Sequence, residues 1–243
     1  LSGAGVVLAD AINDCIALAE NLDSPFSSGY QHNDSFPGSH PLAVGPLGYN
    51  GSKAAMELIS KADVVLALGT RLNPFSTLPG YGIDYWPKDA AIIQVDINSD
   101  RIGLTKKVSV GICGDAKQVA QQLLNSLSPE AGNKNRDERK ALIHQTKSAW
   151  LQTLSSMDHE DDDPGTSWNE EARVRDADRM SPRMAWRAIQ NGLPKNAIIS
   201  SDIGNNCAIG NAYPTFEEGR KYLAPGLFGP CGYGFASVLG AKI

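Results

Sequence analysis

DVVLALG, residues 63–69, is an unbroken apolar run of strand length that stops at a glycine. AAIIQVDIN at 90–98 and VSVGICGD at 108–115 repeat the pattern. A strand with one wet face alternates apolar and polar residues, whereas continuous apolar runs mark strands covered on both faces, as in parallel sheets. Around these runs the spacing turns helical. Val7, Ala11, Cys15, Leu18 and Leu22 recur at steps of three and four, which predicts one amphipathic helix over 6–22. Ser52 stands as N-cap before KAAMELI, and a further helix is predicted from Ala116 to Leu127. Strand and helix in alternation give an α/β fold on a parallel sheet.

Upstream of the sheet, Gly3-Ala4-Gly5 reads as the turn after a strand that the sequence does not contain, and the chain opens on Leu1 rather than Met. The expectation is an internal fragment whose central domain, 1–129, lacks its first strand. Residues 130–180 read as a linker with a helix from Lys140 to Met157 and an acidic run, Asp158 to Asp163, expected to be solvated. A second α/β unit begins at Ser181. Pro182 suits a first helical turn, MAWRAIQNGLP is amphipathic and ends in glycine and proline, and AIISSDIG is a strand reaching Gly204. Phe235, Val238 and Leu239 start a buried helix, so 181–243 is expected to be the truncated start of that second domain.

Composition narrows the classes. A length of 243 residues allows one large or two ordinary domains, and 42% hydrophobic residues suffice for a core. A net charge of −5 with a pI near 5.4 gives no electrostatic reason to bind nucleic acid or an anionic membrane. No apolar run approaches the roughly 20 residues that cross a bilayer. Cys15, Cys113, Cys207 and Cys231 lack the short spacings of a zinc site or redox pair. They are expected as buried, reduced thiols in a cytoplasmic protein.

Candidate chemistry gathers in three places. Ligands of open parallel sheets lie beyond the carboxyl ends of the strands, and Ser201-Asp202-Ile203-Gly204-Asn205-Asn206 occupies such an end. Gly204 permits a tight turn, while Asn205 and Asn206 offer amides to phosphate oxygens; a plain strand-to-helix turn has the same signature. Gly229-Pro230-Cys231-Gly232-Tyr233-Gly234 sets one medium apolar side chain among small and rigid residues. Its backbone can meet a flat heteroaromatic ring, or the loop can simply pack a helix on a sheet. His32 and His40 flank NDSFPGS and suit proton transfer, anion binding or a structural role. His144 and His159 have no sequence neighbour that suggests a task. The dinucleotide, Walker, nucleophile-elbow and zinc-protease motifs are absent.

ADVVLALGTRL, AAIIQVDIN and GDA, followed by SDIGNN and GPCGYGFASVLGAK, resemble the thiamine-diphosphate-dependent enzymes. The resemblance implies a Rossmann-like central domain and then the start of a pyrophosphate-binding domain. YQHNDSFPGSHPLAVGPLGYNGSKAAM, LPGYGIDYWPKDAAIIQVDIN and KKVSVGICGDAK resemble, more narrowly, the sulfoacetaldehyde acetyltransferase branch of that family. The likeness covers essentially the whole chain. The acetolactate synthase branch lacks the histidine loop and typically has methionine in the place of Cys231.

Several roles are implied by the resemblance. The Gly229 carbonyl accepts from the 4′-amino group of the coenzyme's aminopyrimidine. The Cys231 backbone meets the same ring, with Gly232 beside it in the cofactor-binding loop, and the Cys231 side chain sits under the bend of the coenzyme. Gly204, Asn205 and Asn206 map to the diphosphate. The Mg²⁺ ligands, a GDG…N motif, are expected after Ile243, and the activating glutamate before Leu1. No catalytic residue or metal ligand is therefore expected within the chain, which alone would be inactive. The implied reaction converts sulfoacetaldehyde and phosphate to acetyl phosphate and sulfite, with His32 or His40 on the sulfonate or phosphate. The enzyme would be a homodimer or homotetramer with no nucleic-acid or membrane partner. Two alternatives stay open: an acetolactate synthase relative, and a noncatalytic nucleotide-binding module that holds FAD or ADP near Arg71.

Overall fold

The computed structural model describes residues 1–128, 135–159, 180–226 and 228–241. β1 (Phe26–Ser28) and β2 (Ala43–Pro46) form one parallel pair. The apolar runs form β3 (Val64–Leu68), β4 (Ala91–Asp96) and β5 (Val110–Cys113), also parallel, with Val65 opposite Ile92 and Val95 opposite Ile112. Ser2 joins the two groups through parallel bridges to Ser28 on one side and Leu68 on the other. Beside it, the Leu1 amino group donates to the Leu66 carbonyl at 2.8 Å. The columns therefore run β2–β1–Ser2–β3–β4–β5, and the chain order reverses at Ser2. This is the switch point of a doubly wound sheet.

The helix expected over 6–22 is two, α1 (Ala4–Leu8) and α2 (Ile12–Leu22). Asp10 takes a left-handed φ of +54° and redirects the chain. The break shifts the apolar stripe by one residue: Ala11, Cys15 and Leu18 enter the core as expected, but before the kink Val6 does so in place of Val7, and Leu22 is only half-buried. Gly69, also left-handed at +55°, ends β3 directly against α1: a Cβ on Gly5 would lie 2.6 Å from the Gly69 Cα. α3 (Lys53–Ile59) is capped as expected, the Ser52 hydroxyl accepting the Ala55 N–H at 3.3 Å. A short α4 (Pro74–Thr77) follows, and Asp115 caps α5 (Ala116–Ser126) through the Lys117 and Gln118 amides. Two features differ from expectation. β5 is largely exposed because it forms the edge, and β2 lies inside the proline-rich stretch after His32, where a four-residue strand leaves almost no periodic signal.

α6 (Arg136–His159) is longer at both ends than the expected Lys140 to Met157. Its first turns dock on the end of α2, whose last carbonyls have no partner within the helix. Arg139 donates to the Asp23 and Leu22 carbonyls at 2.9 and 3.1 Å, while Arg136 and Lys140 pair with the Asp23 carboxylate. Further along, Trp150 and Leu154 enter a second core with Ala54, Trp186 and Tyr213. Asp158, expected to be solvated, is 3% exposed. It accepts from Arg187 Nε and from the Tyr213 hydroxyl, each at 2.7 Å, the partners that a buried carboxylate requires. Residues 160–163 of the acidic run and the expected boundary at 129–130 lie outside the described residues.

α7 (Pro182–Gly192) starts as the sequence indicates, with the Ser181 hydroxyl accepting the Met184 N–H and Pro182 in the first turn. It packs against α6 and against α8 (Asn205–Gly210). β6 (Ile199–Ser200) and β7 (Tyr222–Leu223) form a short parallel pair, and α9 (Tyr233–Ala241) lies on both. The expectation that α9 is buried does not hold among the described residues: Phe235 is 74% and Leu239 52% exposed, because no described element covers that side. Of the cysteines, Cys15 and Cys207 are buried, whereas Cys113 on the edge strand and Cys231 in a turn are exposed. No described helix is long and apolar enough to cross a membrane.

Candidate functional site

Two segments singled out in the sequence meet beside β6. Gly204, with φ +111°, turns the chain into α8. Gly204, Asn205 and Asn206 are all exposed. The Asn206 amide bends back to the Asp202 carbonyl at 3.2 Å, and its own carbonyl accepts Trp186 Nε1 at 2.9 Å. The glycine loop runs alongside. Gly229 rests on Ile203, whose Cδ1 a Cβ would approach to 3.1 Å, and the Gly232 N–H donates to the Asp202 carboxylate at 2.9 Å. On its outer side the loop is open: a Cβ on Gly226 or Gly232 would meet nothing within 4 Å, and the Cys231 thiol is exposed. Neutral backbone groups, with open space where Gly226 and Gly232 lack a Cβ, leave room for an uncharged heteroaromatic ring beside the Cys231 side chain. Asp202 went unremarked in the sequence as more than part of its segment; its signal was a lone acid placed at a strand end just before a glycine turn.

A crevice of about 620 Å³ opens beyond the carboxyl ends of Ser2, β3, β4 and β5. Its near wall includes Gly3, Thr70, Arg71 and Arg101, and its far wall Tyr222, Gly226 and Tyr233, so it shares residues with the approach to the glycine loop. Buried Gln94 holds two of the loops that line it. The Gln94 amide donates to the Thr70 carbonyl at 3.0 Å and accepts the Gly103 N–H at 2.9 Å, tying together the loops that carry Arg71 and Arg101. His32 lines this crevice, and burial, with the neighbouring Arg71 charge, pushes its pKa down to about 4. It is a neutral imidazole at pH 7. His40 lies elsewhere, with Nε2 3.3 Å from Glu20 and Nδ1 accepting the Leu42 N–H at 3.2 Å. The two histidines do not converge.

A family model described as thiamine pyrophosphate enzyme, central domain, matches residues 1–123. The chain belongs to the thiamine pyrophosphate enzymes. Over its whole length it is 80% identical to a probable sulfoacetaldehyde acetyltransferase of Rhizobium meliloti (strain 1021), of which it covers 41%. It is 76% identical to the sulfoacetaldehyde acetyltransferase of Roseovarius nubinhibens, covering 40% of that protein. A probable acetolactate synthase large subunit of Methanocaldococcus jannaschii is 31% identical, with 38% covered. The chain thus spans about two fifths of the length of the curated relatives it matches.

In this thiamine pyrophosphate enzyme, the loop between the two histidines clasps the second unit. Asn33 Nδ2 donates to the Asn211 and Pro214 carbonyls at 2.9 and 2.8 Å, and the Asp34 carboxylate accepts the Lys221 and Tyr222 amides at 3.0 and 3.2 Å. Gln31 and Tyr30 reach the buried Cys207 thiol at 2.5 and 3.1 Å. Ser39 donates to Glu217 through its hydroxyl and its N–H. The sequence showed a polar loop near a sheet edge; its partners lie about 180 residues away, where no local pattern points to them.

Proposed function

We propose that this chain is part of a thiamine-diphosphate-dependent acyltransferase that converts sulfoacetaldehyde and phosphate to acetyl phosphate and sulfite. The observation that carries the reading is the order of identities over the length of this chain: 44–80% to five relatives named for that activity, against 27–31% to three named as acetolactate synthases. When bound, thiamine diphosphate supplies the electron sink for acyl transfer, and the protein's task is to hold and orient it. Within the chain, the Gly229 carbonyl takes the aminopyrimidine amine and Cys231 lies under the coenzyme's bend. Gly204, Asn205 and Asn206 serve the diphosphate. Gly232 contributes shape, because its N–H is committed to Asp202.

His32 is the better candidate of the two histidines for a substrate anion, since it lines the crevice together with Arg71, which brings the positive charge while the neutral imidazole offers an N–H. His40 is held by Glu20 and by its own turn. Mg²⁺ accompanies the diphosphate in this reading, with ligands from a GDG…N motif, and the activating glutamate comes across a subunit interface of a homo-oligomer. Assaying the full-length protein with sulfoacetaldehyde and phosphate decides the matter: release of sulfite with acetyl phosphate is expected, and acetolactate from pyruvate without sulfite release would replace the reading with the synthase.

The crevice favours a second reading for the central domain, a nucleotide held at the switch point near Arg71. Its volume, its place beyond the strand ends and its two arginines support this. A yellow flavin or an adenine nucleotide released on acid denaturation is the expected sign; thiamine diphosphate alone in the extract counts against it.

A further inference from the structure

Asp202 stands at the end of β6, and its carboxylate gathers three backbone N–H groups. Ile203 donates to Oδ1 at 2.8 Å, Gly232 to Oδ2 at 2.9 Å and to Oδ1 at 3.2 Å, and Gly234 to Oδ2 at 3.3 Å. Gly234 comes this near because it lacks a Cβ, which would sit 3.0 Å from the Asp202 nitrogen. At the other end of the loop Gly229 rests on the Ile203 side chain. Two consecutive residues therefore hold both ends of the loop. An ionised carboxylate only accepts, and N–H bonds to it are about twice as strong as neutral ones. Gly226, Gly229 and Gly232 all have positive φ, so a free loop would have many other conformations to visit. The attachment removes them before any ligand arrives.

We infer that Asp202 is a positioning residue for cofactor binding: it fixes the Gly229–Gly234 loop in the shape that receives a heteroaromatic ring, without touching the ring itself. The inference rests on the reading of this loop as the cradle of the thiamine pyrimidine. A loop already in its bound shape loses less entropy on binding, so Asp202 acts on affinity. Asparagine has the same outline but turns an NH₂ donor toward the loop's own N–H groups, replacing attraction by a clash of donors.

The test compares the full-length protein with its Asp202→Asn variant. Thiamine diphosphate, with Mg²⁺ present, is titrated by protein fluorescence, and amide hydrogen exchange is followed across 228–235 without the cofactor. The variant is expected to bind thiamine diphosphate about tenfold more weakly, the loss of one charge-assisted hydrogen bond, and to exchange faster in that peptide. At saturating cofactor its KM for the aldehyde stays unchanged. Affinity within twofold of the wild type, or unchanged exchange in 228–235, overturns the inference. If Asp202→Asn does not fold, wild-type exchange decides: slow Gly232 and Gly234 amides without cofactor support the inference, and fully exchanging ones overturn it. Absence of thiamine diphosphate binding by the wild type would sink the functional reading instead, which keeps the two failures apart.

Discussion

Asp34 and Tyr222 lie 188 positions apart in the chain, yet the Asp34 carboxylate accepts the Tyr222 backbone N–H at 3.2 Å and the neighbouring Lys221 N–H at 3.0 Å. Asp34 is 4% exposed, so the contact is sheltered from water. It ties a loop of the central sheet to the start of β7. Replacing Asp34 by alanine leaves the buried Tyr222 N–H and the half-buried Lys221 N–H without their acceptor and is expected to lower stability in urea unfolding by about 1–3 kcal/mol. Limited proteolysis should then cut the second unit first. A variant as stable and as resistant as the wild type would show that the clasp contributes nothing.

Protonation of His32 gives a stability signature. Its pKa in the folded chain is about 4, below the ordinary histidine value, because of burial and then the Arg71 charge. The unfolded state therefore binds more protons between about pH 6.5 and 4, and stability falls as pH drops through that window. Above it the contribution is complete and constant. Burial pushes Asp34 up, which acts in the opposite sense over the carboxylate range, so the comparison of wild type with His32→Asn isolates the histidine. Melting temperatures of the variant should decline less from pH 6.5 to 4.5; parallel curves would refute the assignment.

The Arg187–Asp158 pair, with the carboxylate buried and the guanidinium one third exposed, is expected to be costlier to break than to remove whole. Arg187→Met leaves the buried Asp158 carboxylate with only the Tyr213 hydroxyl among the contacts described, a loss of about 1–3 kcal/mol. Adding Asp158→Asn should recover much of that loss, and a double-mutant cycle in chemical denaturation measures it. Additive losses would mean that the two side chains do not interact.

Gly5→Ala probes the contact between α1 and the turn after β3. The new methyl would lie 2.6 Å from the Gly69 Cα and 2.9 Å from its carbonyl oxygen, both backbone atoms that cannot rotate away. A destabilisation of about 1–3 kcal/mol is expected by calorimetry. Since Gly3, Gly5 and Gly69 also line the crevice, any nucleotide bound there should be lost with it.

Thiol labelling separates the cysteines. Cys113 and Cys231 are exposed and should react with iodoacetamide in the native protein, whereas Cys15 and Cys207 should not; burial holds the Cys15 thiol at a pKa of about 12. In the full-length enzyme, thiamine diphosphate with Mg²⁺ should shield Cys231 and leave Cys113 reactive, as read by mass spectrometry. Equal labelling with and without the coenzyme would remove Cys231 from the site.

Much of this was legible because the relevant physics is local. The runs at 63–69 and 90–98 declare covered strands through their unbroken apolar character, and Ser52, Ser181 and Pro182 mark helix starts through groups that sit within one turn of their partners. The rest depends on distance in sequence. Nothing near Asp10 announces the left-handed kink that splits the first helix, and Asp158 looks solvated until Arg187 and Tyr213 fold over it. The glycine loop and SDIGNN were both recognisable as segments, but the carboxylate that joins them became visible only when β6 and the loop lay side by side.

Ser2 aligns two walls. Its N–H donates to the Ser27 carbonyl and its carbonyl accepts the Gly29 N–H, while on the other side the Leu1 carbonyl accepts the Leu68 N–H and the Gly3 N–H donates to the Leu68 carbonyl. The crevice residues that follow β1, Tyr30 to His32, and those that follow β3, Gly69 to Arg71, are thus indexed to the same stretch of backbone, like two shelves hung from one bracket.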